Sequence, residues 1–124
     1  MNANELRVTN LVLYKNLVIN PVIFIGYDSV ELITPKGDTV MAKLDEIFPI
    51  VLTDEWLVKM GWEWDIFYQG YFGYNYVVNS NYREGYRVHY CKTRNDFIVE
   101  NIQYVHQLQN LIYALTDNEI IINL

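Results

Sequence analysis

The sequence predicts an α+β domain: a small SH3-like bent β-sheet or barrel at the N-terminus, a short central helix, tyrosine-rich antiparallel strands and an amphipathic C-terminal helix. Three observations predict it. Short β-branched runs separated by turn residues fill residues 11–42. A short apolar stripe with a good N-terminal cap lies at 53–61. A second stripe, at helical period, lies at 104–116. With 124 residues, 52% of them hydrophobic and 19% charged, the chain fits a single domain, 1–124, able to bury about two-thirds of its surface. That composition excludes intrinsic disorder.

The N-terminal β lobe covers about residues 1–48. Leu11–Ile19 reads as a strand, which Asn20-Pro21 is expected to break. Val22–Ile25, Val30–Ile33 and Thr39–Ala42 read as three more. Thr34-Pro-Lys-Gly-Asp38 is a turn with a mechanism, since Pro35 fixes φ and Gly37 can take positive φ. Four short strands joined by tight turns suit a strongly bent sheet rather than a flat one. The helix at 53–61 follows. Thr53 is its N-cap, Asp54 and Glu55 lie in the first turn where the helix dipole favours acids, and Gly61 ends it. Trp56, Leu57 and Met60 form its apolar stripe.

Residues 62–99 return to strands. Trp62–Gln69 is one, closed by Gly70, and Tyr71–Val78 is the next, with a turn at Asn79–Asn81. Tyr86–Lys92 alternates: Tyr86, Val88 and Tyr90 take one face and Arg87, His89 and Cys91 the other. Asp96–Val99 is a further strand. In the last helix, Val105, Leu108, Leu111, Ile112 and Leu115 form one stripe, with His106, Gln107, Gln109, Asn110 and Tyr113 off it. Thr116-Asp117-Asn118 stops that helix, and Ile120–Leu124 is expected to form a final edge strand.

Nine basic and fifteen acidic residues give a net charge of −6. This argues against direct nucleic-acid binding, which rests on Lys and Arg at phosphates, and against an anionic membrane surface. The charge is uneven: residues 44–65 carry −5, residues 82–94 carry +3 and residues 95–124 carry −4. No apolar run is long enough to span a membrane, and the opening residues lack the pattern of a signal peptide. The expected location is the cytoplasm of a bacterial host, where the single Cys91 stays a reduced, packed thiol.

Catalytic inventories are missing. Ser29 and Ser80, the two serines, read as turn residues, and Gly70–Gly73 lacks the ending of a phosphate-binding loop. His89 and Cys91 form an H-x-C pair, but His106 is the one other histidine, so a zinc site lacks ligands. No enzyme, metal or cofactor is expected. The anomaly is tyrosine: of eleven, Tyr68, Tyr71, Tyr74, Tyr76, Tyr82, Tyr86 and Tyr90 fall in one stretch. They read as cross-strand pairs that stabilise a sheet, as a protein-binding face, or as base-stacking rings beside Arg83, Arg87, Lys92 and Arg94.

Two segments, Asn4–Tyr14 and Tyr104-Val-His-Gln-Leu-Gln-Asn-Leu-Ile-Tyr-Ala-Leu-Thr116, resemble the opening and closing signatures of a group of small proteins encoded by phages, prophages and mobile elements of Bacteroidetes-type bacteria. Pro49–Gly61 is similar to the same group, and together these segments span about a third of the chain. The resemblance implies a phage setting, in which small acidic proteins work by binding host proteins, as anti-CRISPR inhibitors do. The expected function is therefore non-enzymatic inhibition or modulation of a basic, nucleic-acid-handling host protein. Tyr68, Tyr71, Tyr74, Tyr76, Tyr82, Tyr86 and Tyr90, with Asp45, Glu46, Asp54, Glu55, Glu63 and Asp65, are its candidate contacts. The alternatives are a phage assembly protein that self-associates as a homo-oligomer, and a small single-stranded nucleic-acid-binding module.

Overall fold

A computed structural model describes residues 1–15, 19–80, 85–92 and 97–124 of the chain. The protein is α+β. Ten strands and two helices lie among the described residues, and the strands form two five-stranded antiparallel sheets. The chain divides into two compact units, Met1–Ile50 with Val105–Asn110, and Val51–Tyr104 with Leu111–Leu124.

In the first unit, β1 (Leu11–Tyr14), β2 (Ile19–Ile25), β3 (Ser29–Ile33) and β4 (Thr39–Lys43) run as a meander. A 3-10 turn at Leu44–Glu46 returns the chain to β5 (Ile47–Phe48), which pairs with β1 to give the order β4-β3-β2-β1-β5. Leu6, Val12, Val22, Val30, Leu32, Ala42 and Ile47 form the core. The Thr34–Asp38 turn closes as its sequence requires. Thr34 N–H donates to the Asp38 carbonyl, Gly37 N–H donates to that of Thr34, and Gly37 has φ +89°.

Two expectations are corrected here. Leu11–Ile19 is not one strand, because β1 ends at Tyr14 and Lys15 takes φ +52°. Asn20-Pro21 does not break the chain either: both residues lie inside β2. Pro21 sits opposite Leu11, and pairing with β3 begins only at Val22, so no ladder bond needs the missing N–H.

In the second unit, α1 (Asp54–Lys59) has the cap its sequence predicts, with Thr53 Oγ1 accepting from Trp56 N–H at 3.3 Å. Its far end is a Schellman motif. Gly61, at φ +96°, donates to the Val58 carbonyl and Trp62 N–H donates to that of Leu57. This motif delivers Trp62 to the core, where it is fully buried against Tyr74, ring centroids 4.8 Å apart.

The second sheet is a meander of β6 (Glu63–Asp65), β7 (Gly70–Gly73), β8 (Tyr76–Ser80), β9 (Tyr86–Tyr90) and β10 (Phe97–Ile102). Trp62–Gln69 is therefore shorter than expected as a strand, and Gly70 opens β7 rather than closing the strand before it. Tyr71–Val78 is two strands. They meet at a two-residue turn in which Tyr74 (φ +54°) and Asn75 (φ +69°) are both left-handed, the geometry that matches strand twist in a tight hairpin. Asn79 and Ser80 belong to β8 rather than to a turn.

Helix α2 (Val105–Thr116) agrees with the predicted period, but its buried face differs. Val105, Leu108 and Ile112 are buried, and so are His106 and Gln109, whereas Leu115 is exposed. Residues 120–124 form no strand; Asn123 N–H donates instead to the Lys59 carbonyl.

Candidate functional site

Pairing in the second sheet puts Phe72, Val77, His89 and Phe97 on one face, because these residues oppose one another across β7, β8, β9 and β10. Asn79 opposes Arg87 on the same face. Gly70 extends this row: a side chain at Gly70 would collide with the Asn79 amide, so the bare backbone gives Asn79 its place.

From this face Asn79, Arg87, His89 and Phe97 line a cavity of about 330 Å³ together with Phe67, Tyr68 and Gln69. The Arg87 guanidinium lies over the Phe97 ring, 4.3 Å from its centroid. His89 meets the same ring edge-on at 5.6 Å. Burial, and then the neighbouring Arg87 charge, hold the His89 imidazole below its ordinary pKa. A second hollow, of about 460 Å³, shares Tyr68, Gln69, Asn79 and Arg87 and adds Asp54, Trp64, Tyr71, Val78 and Ser80.

The β6–β7 hairpin carries a ridge of aromatic side chains, with Trp64 and Tyr71 on one face of the sheet and Phe72 on the face of the cavity. Asp65 Oδ1 accepts from Phe67 N–H at 2.8 Å and from Tyr68 N–H at 3.1 Å, which locks the turn between β6 and β7. On that turn Ile66 and Phe67 are 86% and 69% exposed, and Trp64 on β6 is 61% exposed. Trp64 packs edge-on against Tyr71, and Tyr68 stacks flat on Phe72.

The predicted contact residues separate into roles. Tyr68 and Tyr71 belong to the ridge and hollows. Tyr86 donates from its hydroxyl to Asp54 Oδ1 at 2.7 Å, and burial and that carboxylate push its pKa up. Tyr71 is shifted the same way by burial and Asp54. Tyr74 serves the scaffold: its hydroxyl donates to the Met60 carbonyl at 3.1 Å. Tyr76 and Tyr90 pair across β8 and β9, as the sheet-stabilising reading expects. Glu55 and Glu63 are exposed near the ridge in sequence, while Asp65 is committed to its turn. Asp45 and Glu46 lie in the first unit, where Glu46 Oε1 accepts from Lys43 N–H. Tyr82, Arg83 and Arg94 lie outside the described residues, as does Asp96.

Reading the sequence missed Phe67, Gln69, Asn79 and Phe97 as cavity residues. The alternation of Arg87 and His89 on one strand face was the available signal, although it pointed to Cys91 as the third member. Cys91 instead lies in the turn after β9. No group of three His, Cys, Asp or Glu side chains able to hold a metal occurs among the described residues.

No protein-family profile, curated protein or solved structure matches the chain. The site is therefore read from its own chemistry.

Proposed function

We propose that this chain is a non-enzymatic binding protein that acts by contact, with the Trp64–Phe72 ridge as its docking surface and a basic macromolecule as its partner. The observation that carries this reading is an exposed aromatic ridge held in place by the Asp65 turn and by ring-on-ring packing. Rings fixed before binding lose little conformational entropy on contact, and large aromatic anchors dominate binding energy. The partner's sign follows from charge: Asp54, Glu55, Glu63 and Asp65 accompany the ridge in sequence, against Lys59. In the phage setting that the Tyr104–Thr116 resemblance implies, such a partner is a nucleic-acid-handling host protein, inhibited or modulated in the bacterial cytoplasm in the manner of an anti-CRISPR. No described helix is long and apolar enough to cross a membrane. In the same proposal the first sheet is SH3-like; the return of β5 to pair with β1 supports this.

The test is affinity purification of the tagged protein from a phage-susceptible host, repeated with the Trp64→Ala/Phe67→Ala double variant and over a salt series. A partner retained by the native chain, lost by at least about tenfold with the variant and weakened by salt supports the proposal. A partner held equally by the variant, or without salt dependence, overturns it. A homo-oligomer in sedimentation that needs Trp64 would assign the ridge to self-association instead.

A further inference from the structure

The cavity that shares Phe67 and Tyr68 with the ridge carries chemistry that protein docking does not use. His89 is 5% exposed, and its Nδ1 has no hydrogen-bond partner among the described residues. Arg87 Nε is likewise buried and unpartnered among them. Buried polar nitrogens without partners are costly, and two lining one cavity point to a ligand that satisfies both. The remaining polar lining is the Gln69 and Asn79 amides and the side chain of Tyr68, and no carboxylate lines the cavity among the described residues. Guanidinium, imidazole and two amides, with no acid, suit an oxyanion. Phe67, Tyr68 and Phe97 supply flat apolar walls. The backbone is held for the purpose as well: Gln69 sits at φ +52°, and Gly70 keeps Asn79 in place. A volume of about 330 Å³ is at the small end of ligand pockets and fits one or two rings rather than a chain.

We infer that this cavity binds a small planar ring bearing an oxyanion, an aryl or heteroaryl phosphate or carboxylate, with Arg87 and His89 as its anion donors and Phe97 fixing the Arg87 guanidinium. This site shares Phe67 and Tyr68 with the ridge, but its test does not involve the partner proposed above.

The experiment is a nuclear magnetic resonance titration of the full chain with phenyl phosphate, inorganic phosphate and phenol in separate arms. The signals followed are the Arg87 Nε–H and the His89 imidazole. Phenyl phosphate should shift both, and bind at least about tenfold more tightly than phosphate or phenol alone. Arg87→Gln should weaken it by about tenfold or more, while Lys59→Gln, an equal loss of charge elsewhere in the unit, should not. If Arg87→Gln fails to fold, His89→Gln and the native Arg87 Nε–H signal decide the matter. With 5′-AMP as a further probe, tighter binding than phenyl phosphate identifies a nucleotide as the natural source, and weaker binding a single-ring ligand. The inference is overturned if neither signal moves, if phosphate alone binds as well as phenyl phosphate, or if a folded Arg87→Gln variant binds unchanged.

Discussion

The two sheets are held by different chemistry. In the first unit the decisive contacts outside the aliphatic core are amides. Gln109 Oε1 accepts from Leu11 N–H at 3.0 Å, and its Nε2 donates to the Thr9 carbonyl at 3.2 Å. Asn10 Nδ2 donates to Asn110 Oδ1 at 2.7 Å. These bonds surround Thr9, a β-branched residue held at φ +80°. In the second unit the contacts are rings, with Trp62 on Tyr74, Trp64 on Tyr71, Tyr68 on Phe72 and Tyr76 on Tyr90. These amides are engaged with one another and with the backbone. The aromatic unit exposes part of its ring surface and holds, in a cavity, nitrogens with no partner among the described residues. The difference teaches where to look for function: in the unit whose rings are exposed and whose cavity is lined by Arg87 and His89.

Three measurements break or sharpen this contrast. The largest effect is expected from Trp62→Ala, which empties the centre of the aromatic unit and strands the Tyr76 carbonyl that Trp62 Nε1 bonds at 3.3 Å. A loss of about 3–5 kcal/mol is expected in urea denaturation. The remaining tryptophans, Trp56 and Trp64, also lie in the second unit, so their fluorescence follows its unfolding. Loss below about 1 kcal/mol would mean that the rings are not what holds this unit.

Next comes Gln109→Leu, which leaves Leu11 N–H and the Thr9 carbonyl without their partner. A cost of about 1–3 kcal/mol is expected, read from hydrogen exchange of the Leu11 amide. An unchanged exchange rate would remove the amide account of the first unit.

The smallest effect is acid sensitivity shared by both units. Burial holds His106 below its ordinary pKa although the Glu5 charge opposes this, and burial and Arg87 hold His89 below it. The unfolded chain takes up protons near pH 6.5 while the folded chain resists, so stability is full above that value and falls as pH drops toward the folded pKa values. Denaturation midpoints should decline from pH 7.5 to 5.5 in both the fluorescence and the amide readouts. A midpoint that rises on acidification would contradict the burial of both imidazoles.

What could be read from the sequence was local chemistry. Pro35 and Gly37 announce their turn, and Thr53 and Gly61 announce the ends of α1, because each acts on its own backbone within a few residues. The α+β class followed from such signals. Gln109 and His106 were placed off the buried stripe because their side chains are polar. Their burial rests on partners such as Thr9, Leu11 and Glu5, about a hundred residues away in the chain. Pro21 is ambiguous in sequence for a related reason, since whether its missing N–H matters depends on where the neighbouring strand begins to pair. The cavity was legible only as the Arg87–His89 alternation. Register across three strands decides that Phe97 and Asn79, not Cys91, share it.

The left-handed turn at Tyr74-Asn75 bears on the order of folding. A tyrosine in that conformation costs about 1–2 kcal/mol relative to glycine, so the hairpin of β7 and β8 gains little from its own turn. What offsets the cost is the Tyr74 hydroxyl on the Met60 carbonyl and the ring on Trp62, both supplied by the end of α1. The helix precedes the hairpin in the chain. The hairpin is therefore expected to close from its contact with the end of α1 rather than from its own tip.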